Sequence, residues 1–441
     1  MASTEAKPLV FLIDLGAGTT VNGGLTGGRY EMWRDGRAGG MRIASLFLGL
    51  FMALSGLAPG IAGAQTEPRT VALDARLAGD ASRTRLVIDL NRKIEVRAYT
   101  IANPNRVVVE LPEVSFDLPV GAGRQARGLV SAFRYGQFAP GKARIVIDLR
   151  EPVRIDKTFV LAPLDDQPAR LVIDLVRTDG ASFLKSAIVP EQRHTAALKT
   201  QPKPEKPDPR PVIVLDPGHG GPDSGAQAKT GGGEKEVVLE GAQKLRGQLL
   251  QTGRYRVVMT RDDDVFVPLD ERVAIARANA AALFISIHAD SLSKGAGEAS
   301  GATIYTRSEH ASDSEAQRLA DKENDSDKLA GYLSQQPDDV ANILFDLAQR
   351  DTKNHSNLFA RTLVGSLRNA ARLHKYPLRS AGFVVLKSPD VPSVLLELGY
   401  LSSPEDLRQM TSEAWREKVS AAVVAAIDKF FAGRNPAVAG R

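Results

Sequence analysis

Six prolines set among charged residues, in the stretch from Pro190 to Pro211 (PEQRHTAALKTQPKPEKPDPRP), constrain the fold more than any other feature of the chain. Proline lacks an amide donor and holds φ at about −65°, so neither a helix interior nor a central strand passes through such a run. The chain therefore divides into two bodies joined by a semi-rigid, solvated linker, assigned to residues 177–211. One body spans residues 69–176 and the other residues 212–432.

The apolar run at residues 43–58 (IASLFLGLFMALSGLA) follows Arg34, Arg37 and Arg42 and precedes Ala62-Gly63-Ala64, a small-x-small cleavage site. Residues 41–64 read as a secretory signal; as a membrane anchor the run is short against a span of about 20 residues. No twin-arginine pair precedes it, which selects the general secretory route. Residues 1–40 are Gly-rich with little periodicity, and we read them as a non-native leader ahead of a true start at Met41. No cysteine occurs among the 441 residues, so thiolate metal sites, disulfides and a cysteine nucleophile are excluded. Any metal must be held by His, Asp or Glu. With 57 basic and 52 acidic residues the net charge is +5, a near-balance that does not suggest a nucleic-acid partner.

In the first body one phrase recurs: Thr84-Arg-Leu-Val-Ile-Asp-Leu90, Asn105-Arg-Val-Val-Val-Glu-Leu111, Ala143-Arg-Ile-Val-Ile-Asp-Leu149 and Ala169-Arg-Leu-Val-Ile-Asp-Leu175. Each is a β-branched strand closed by an acid and a leucine. Their starts lie 21, 38 and 26 residues apart, which groups them by sequence as first with second and third with fourth. Turn formers such as Asn103-Pro104 and Pro140-Gly141 separate strands. The expected form is a small all-β sandwich of two related halves. No histidine occurs before Ser186 and the acids do not converge, so this body reads as a binding or targeting module.

The second body alternates. Strands are expected at Val212–Asp216, Tyr255–Thr260, Leu283–His288, Ala302–Thr306, Gly382–Leu386 and Ser393–Leu398, and helices at Glu236–Leu250, Leu269–Ala280, Asn357–Ala371 and Trp415–Phe431. This is an α/β domain with an open, mostly parallel sheet and helices on both faces, whose functional residues gather at strand C-terminal ends. Three apolar strands run into polar residues there: Asp216-Pro-Gly-His-Gly-Gly221, Ser286-Ile-His288-Ala-Asp290 and Leu395-Leu-Glu397-Leu-Gly-Tyr400. Glu234 opens a helix after the glycines at 231–233. Taken alone, Glu234 is an ordinary helix-start acid and each histidine a satisfied polar residue. Taken together, His219, Glu234 and His288 make a three-ligand zinc site with one open position, leaving Glu397 as general base. His194 falls in the linker, and His310, His355 and His374 sit among polar neighbours and read as solvated.

Residues 212–432 resemble the zinc-dependent N-acetylmuramoyl-L-alanine amidases through four blocks in order: VIVLDPGHGGPDSGA, the Glu234-Lys235 pair, FISIHADS and VPSVLLELGYLSSPED. Residues 69–176 resemble the AMIN module that precedes such domains in exported Gram-negative amidases. The resemblance implies Zn2+ on His219, Glu234 and His288, with Glu397 catalytic. It also implies a periplasmic enzyme that binds peptidoglycan, cleaves the amide between N-acetylmuramic acid and L-alanine, and acts in daughter-cell separation. The open alternatives are a zinc peptidase cutting within the stem peptide and a non-catalytic wall-binding protein.

Residues 308–355 exceed what an α/β crossover requires. Glu315–Leu319 and Val340–Leu347 have helical spacing, and Ala320–Asp327 is acidic, so a solvated surface helix is one reading. The segment is also similar to the regulatory insert of the cell-division amidases, which implies that Glu323 occupies the open metal position until an activator of the LytM type withdraws it. Val340, Ile343, Leu344 and Leu347 are a candidate face for that activator. No heptad run appears, so a monomer is expected, with no stable membrane span once the signal is removed.

Overall fold

The computed structural model describes residues 69–187, 208–228, 232–291, 300–332 and 343–434. It also describes two short paired strands, β1 (Phe11–Asp14) and β2 (Thr20–Gly23), in a separate unit, Met1–Thr66. The signal segment, His194 and most of the linker, Val340, and the side chains of Ile343, Leu344 and Leu347 lie outside the described residues.

The N-terminal body is a sandwich of strands β3 (Thr70–Gly79), β4 (Arg83–Leu90), β5 (Arg97–Ile101), β6 (Arg106–Pro112), β7 (Val114–Phe116), β8 (Val130–Ala139), β9 (Lys142–Leu149), β10 (Val153–Leu161) and β11 (Ala169–Arg177). They form two sheets, ordered β10-β11-β4-β3-β7 and β5-β6-β9-β8. Alternate residues point inward, so Leu86, Ile88, Val107, Val109, Ile145, Ile147, Leu171 and Ile173 fill one core between the sheets. The short helix α1 (Gly180–Ser186), inside the stretch assigned to the linker, adds Phe183 to that core.

The four repeated phrases occupy β4, β6, β9 and β11, but their pairing is not the sequential one. The first pairs with the fourth, Leu90 opposite Ala169, and the second with the third, Leu111 opposite Ala143. Both pairs are antiparallel in the same register, so the arginine in second place of each phrase faces the acid in sixth place of its partner. This yields Arg85–Asp174, Arg170–Asp89, Arg106–Asp148 and Arg144–Glu110. The recurrence thus encodes a cross-strand ion pair used four times.

The C-terminal body contains β12 (Val212–Pro217), β13 (Arg256–Met259), β14 (Leu283–His288), β15 (Ala302–Arg307), β16 (Leu373–Ala381) and β17 (Ser393–Glu397). Their order is β13-β12-β14-β17-β15-β16, with every neighbouring pair parallel except β15 against β17. One face is covered by α2 (Glu234–Gln251), α6 (Ile343–Leu367) and α8 (Glu413–Arg434), the other by α3 (Leu269–Ala278) and α4 (Ser314–Asn324). β12, β14 and β17 are buried at every position, as a strand covered on both faces must be.

Two expectations are corrected here. Gly382–Leu386 is not a strand: Val384–Leu386 is one turn of 3-10 helix, and the strand is the preceding β16. β16 (LHKYPLRSA) is polar and contains Pro377, which is compatible with its place at the sheet edge, where one side needs no ladder partner. His374 is buried, not solvated; its ring lies 6.3 Å from that of Tyr400, and its Nδ1 accepts the Tyr376 amide. His310 is exposed and His355 half-buried beside Phe430.

Candidate metal centre

The carboxyl ends of β12, β14 and β17 lie side by side, and in-register pairing sets His288 opposite Glu397. Just beyond β12, His219 adopts a left-handed φ of 60°. Its loop is held from below by two buried arginines. Arg272 donates to the carbonyls of Pro217 and His219, and Arg261 to those of Pro217 and Gly218. Arg272 is itself oriented by Asp216, a fully buried carboxylate that also accepts from Thr260 and Ser286. Burial disfavours the charged form of Asp216, but Arg272 and the two hydroxyl bonds hold its pKa below the ordinary value. Gly218 passes so close to His288 that a Cβ there would lie 2.4 Å from the ring, which is why this position takes no side chain.

His219 Nδ1 donates to Asp223 at 2.9 Å, which turns Nε2 inward. Glu234, the first residue of α2, is fully buried; its Oε2 accepts the Ala226 amide at 2.8 Å and its Oε1 the Ala289 amide at 2.9 Å. That Oε1 lies 3.2 Å from His219 Nε2 and 3.2 Å from His288 Nδ1. The fourth member comes from the insert. Ala316, Leu319, Ala320 and Glu323 form one buried stripe of α4, three of them in the apolar core and Glu323 at the site, with its Oε2 3.3 Å from both His219 Nε2 and His288 Nδ1.

Ligands about 2.0 Å from a central zinc, arranged tetrahedrally, are separated by about 3.3 Å. The four nitrogen–oxygen separations match that spacing, and the two-imidazole, two-carboxylate set suits zinc. His219 Nε2 is buried without a hydrogen-bond partner, as a metal ligand atom should be. Burial alone would lower the His219 pKa, yet the carboxylates of Glu234, Asp223 and Glu323 raise it well above the ordinary value. For Glu234, burial opposes ionisation and His219 outweighs it, holding the pKa well below the usual range. The pocket is one that demands positive charge.

Glu397 behaves in the opposite way. Burial, followed by the negative charges of Glu234 and Asp290, pushes its pKa well above the ordinary value. Its Oε2 accepts the Asp290 amide at 3.0 Å while Oε1 is buried with no hydrogen-bond partner. Burial raises Asp290 to about 6, although Lys322 of the insert pairs with it.

The acidic segment that admitted a solvated-helix reading is therefore buried where it matters. Beyond Glu323, Asn324 bonds the backbone of Gly382 and Val384, and Asp327 accepts the Leu269 amide at the start of α3. All five site residues singled out in the sequence, His219, Glu234, His288, Glu323 and Glu397, are brought together. Asp223, Arg261, Arg272 and Lys322 were missed. Asp223 had a signal, standing four residues after His219 in the same glycine-rich loop, whereas the arginines and Lys322 act through partners that no local pattern discloses.

An α/β sheet with two imidazoles and three carboxylates at its carboxyl edge has the equipment of a metal-assisted hydrolase. Residues 213–429 match the family described as N-acetylmuramoyl-L-alanine amidase, and residues 73–175 match the AMIN domain. The chain is 34% identical over 367 residues to the N-acetylmuramoyl-L-alanine amidase AmiC of Escherichia coli O6:H1, covering 80% of this chain and 87% of that one. It is 31% identical over 398 residues to AmiC of Neisseria meningitidis serogroup B, covering 87% and 94%. The chain belongs to the N-acetylmuramoyl-L-alanine amidase family.

Two outcomes test this geometry. Asp223→Asn should weaken zinc binding by about ten- to a hundred-fold in a chelator competition, because His219 loses the carboxylate that orients it; unchanged affinity would remove Asp223 from the site. Burial raises Asp327 from 3.8 to about 7. A carboxyl raised in the docked state favours docking at low pH and loses that contribution as pH climbs through about 7. Asp327→Asn keeps an acceptor for Leu269, so its thermal midpoint should exceed the parent's by a margin that widens from pH 4 to 7; a margin independent of pH would count against it.

Proposed function

We propose that this protein is an exported, zinc-dependent peptidoglycan amidase that hydrolyses the bond between N-acetylmuramic acid and the L-alanine of the stem peptide, and that its own insert keeps it silent. The observation that carries the reading is the matched spacing of four donor atoms around one point, three from the sheet edge and one from the insert. His219, Glu234 and His288 would hold the zinc. Zinc bound there supplies Lewis acidity, polarising the scissile carbonyl and lowering the pKa of the attacking water.

The remaining chemistry belongs to the protein. Glu397 has one oxygen fixed by the Asp290 amide and one free, so Oε1 is the atom that takes the proton from water and returns it to the departing alanine nitrogen. Its raised pKa matches a group that must carry a proton between the two steps. Ala226 and Ala289 pin both oxygens of Glu234, which prevents it from swinging into the base's role. Glu323 fills the position that water and substrate need, so activity requires α4 to move. A LytM-type activator is the partner proposed to withdraw it.

Cell separation as the process and the periplasm as the compartment, reached through the signal at residues 41–64, rest on the resemblance of the two domains to exported Gram-negative amidases and on that apolar run. Among the described residues no helix is long and apolar enough to cross a membrane. Peptidoglycan is the proposed ligand of the N-terminal sandwich.

Introduced into a parent unlocked by Glu323→Ala, Glu397→Ala should retain zinc and release no free stem peptides beginning at L-alanine, read by metal analysis and mass spectrometry of digested sacculi. Stem peptides released at the parental rate would remove Glu397 as the base, and products cut within the stem would replace the amidase with a peptidase.

A further inference from the structure

The four cross-strand ion pairs of the sandwich have identical registers and unequal surroundings. On the sheet containing β4 and β11, the side chains of Arg85 and Arg170 are 49% and 35% exposed. On the sheet containing β6 and β9, those of Arg106 and Arg144 are 6% and 1% exposed. What covers the second pair is the middle of the insert, just after α4. After α4 the chain forms one turn, α5 (Ser326–Leu329), and then lies across the sheet. Arg106 donates to the Lys328 carbonyl, and Arg144 donates to those of Ala330 and Gly331 at 3.2 and 3.0 Å.

The contact is built as an interior. Gly331 has a left-handed φ of 70°, and a Cβ on it would stand 3.0 Å from Val108 and 3.5 Å from Val146, so the backbone sits directly on the sheet. Ala330 and Tyr332 join Phe138 of β8 and Phe266 of the C-terminal body in one buried cluster. The Arg144 guanidinium stacks on the Phe138 ring at 3.3 Å from its centroid. A buried arginine that donates to main-chain carbonyls recognises a backbone path, not a side chain, and here that path begins at Lys328, one residue after Asp327, which with Glu323 and Asn324 anchors the insert on the other body.

We propose that the outer face of the β5-β6-β9-β8 sheet is the docking surface for the insert of the same chain, and that the N-terminal domain thereby holds Glu323 in the metal site. This rests on the reading of Glu323 as the lock. The sandwich is then a latch as well as a targeting module, and any ligand that competes for Arg106 and Arg144 on this face loosens the insert.

The test uses the full chain. Arg106→Ala with Arg144→Ala should raise basal dye release from labelled sacculi about ten-fold. Hydrogen-exchange protection of residues 314–332 should fall while β12, β14 and β17 keep theirs. Arg85→Ala with Arg170→Ala, which breaks the equivalent pairs on the uncovered sheet, should leave both readouts at the parental level. Gly331→Val attacks the same contact from the insert side, outside either sheet, and should reproduce the rise if the arginine variant fails to fold. Glu323→Ala separates the two ideas. If it is active while folded latch variants remain as silent and as protected as the parent, the latch is overturned and the lock stands; if Glu323→Ala is itself silent with zinc bound, the lock fails.

Discussion

Burial of negative charge governs this molecule. Glu234, Glu323 and Glu397 are withdrawn from water within one small volume. An unpaired buried carboxylate costs several kcal/mol, so each must be neutralised, protonated or bonded. Glu234 is met by two backbone amides and two imidazoles, and Glu397 by one amide and a raised pKa. The same pocket raises the His219 pKa, which expresses the need for a cation at its centre. A parallel sheet suits this need because its carboxyl edge delivers several loops and their free amides to one place.

The support beneath the pocket follows the same logic with the sign reversed. Arg261 and Arg272 are buried, and each directs its donors at carbonyls of the loop that carries His219. Burial lowers Arg261 to about 10, a value that still leaves it charged near neutrality. Because guanidinium presents its donors in a rigid fork, two arginines can fasten the carbonyls of Pro217, Gly218 and His219 at once. The left-handed backbone of His219 is thus held by its neighbours' chemistry and not by its own preference.

Much of this could be read before the fold was known. Apolar strands that end in His219, His288 and Glu397 announced both a parallel sheet and its working edge, because only a strand covered on both faces is apolar throughout. The phrase repeated through β4, β6, β9 and β11 announced a sandwich, but sequence spacing grouped its copies wrongly. Strand pairing is a contact between residues up to about ninety positions apart, and proximity along the chain carries no such information. β16 carries no strand signal for a different reason: an edge strand needs little hydrophobic patterning, and Pro377 interrupts what there is. His374 looked solvated because its sequence neighbours are polar, whereas Tyr400, far along the chain, covers it. Arg261 and Arg272 give no signal in a single sequence, since most of their partners are main-chain carbonyls of a distant loop.

The short helix α5 bears on how motion passes along the insert. Between the anchor at Asp327 and the carbonyls held by Arg106 and Arg144 there is almost no free chain. Beyond Asp327 the slack is the rest of the helical turn, Lys328 and Leu329. Extending two residues from a rise of about 1.5 Å to about 3.3 Å releases roughly 4 Å. A displacement of the Gly331 end smaller than that can be absorbed by unwinding, leaving Glu323 in place, while a larger one must pull on α4. The insert therefore has the mechanics of a tether with a threshold, insensitive to the small breathing of two bodies and responsive to their separation.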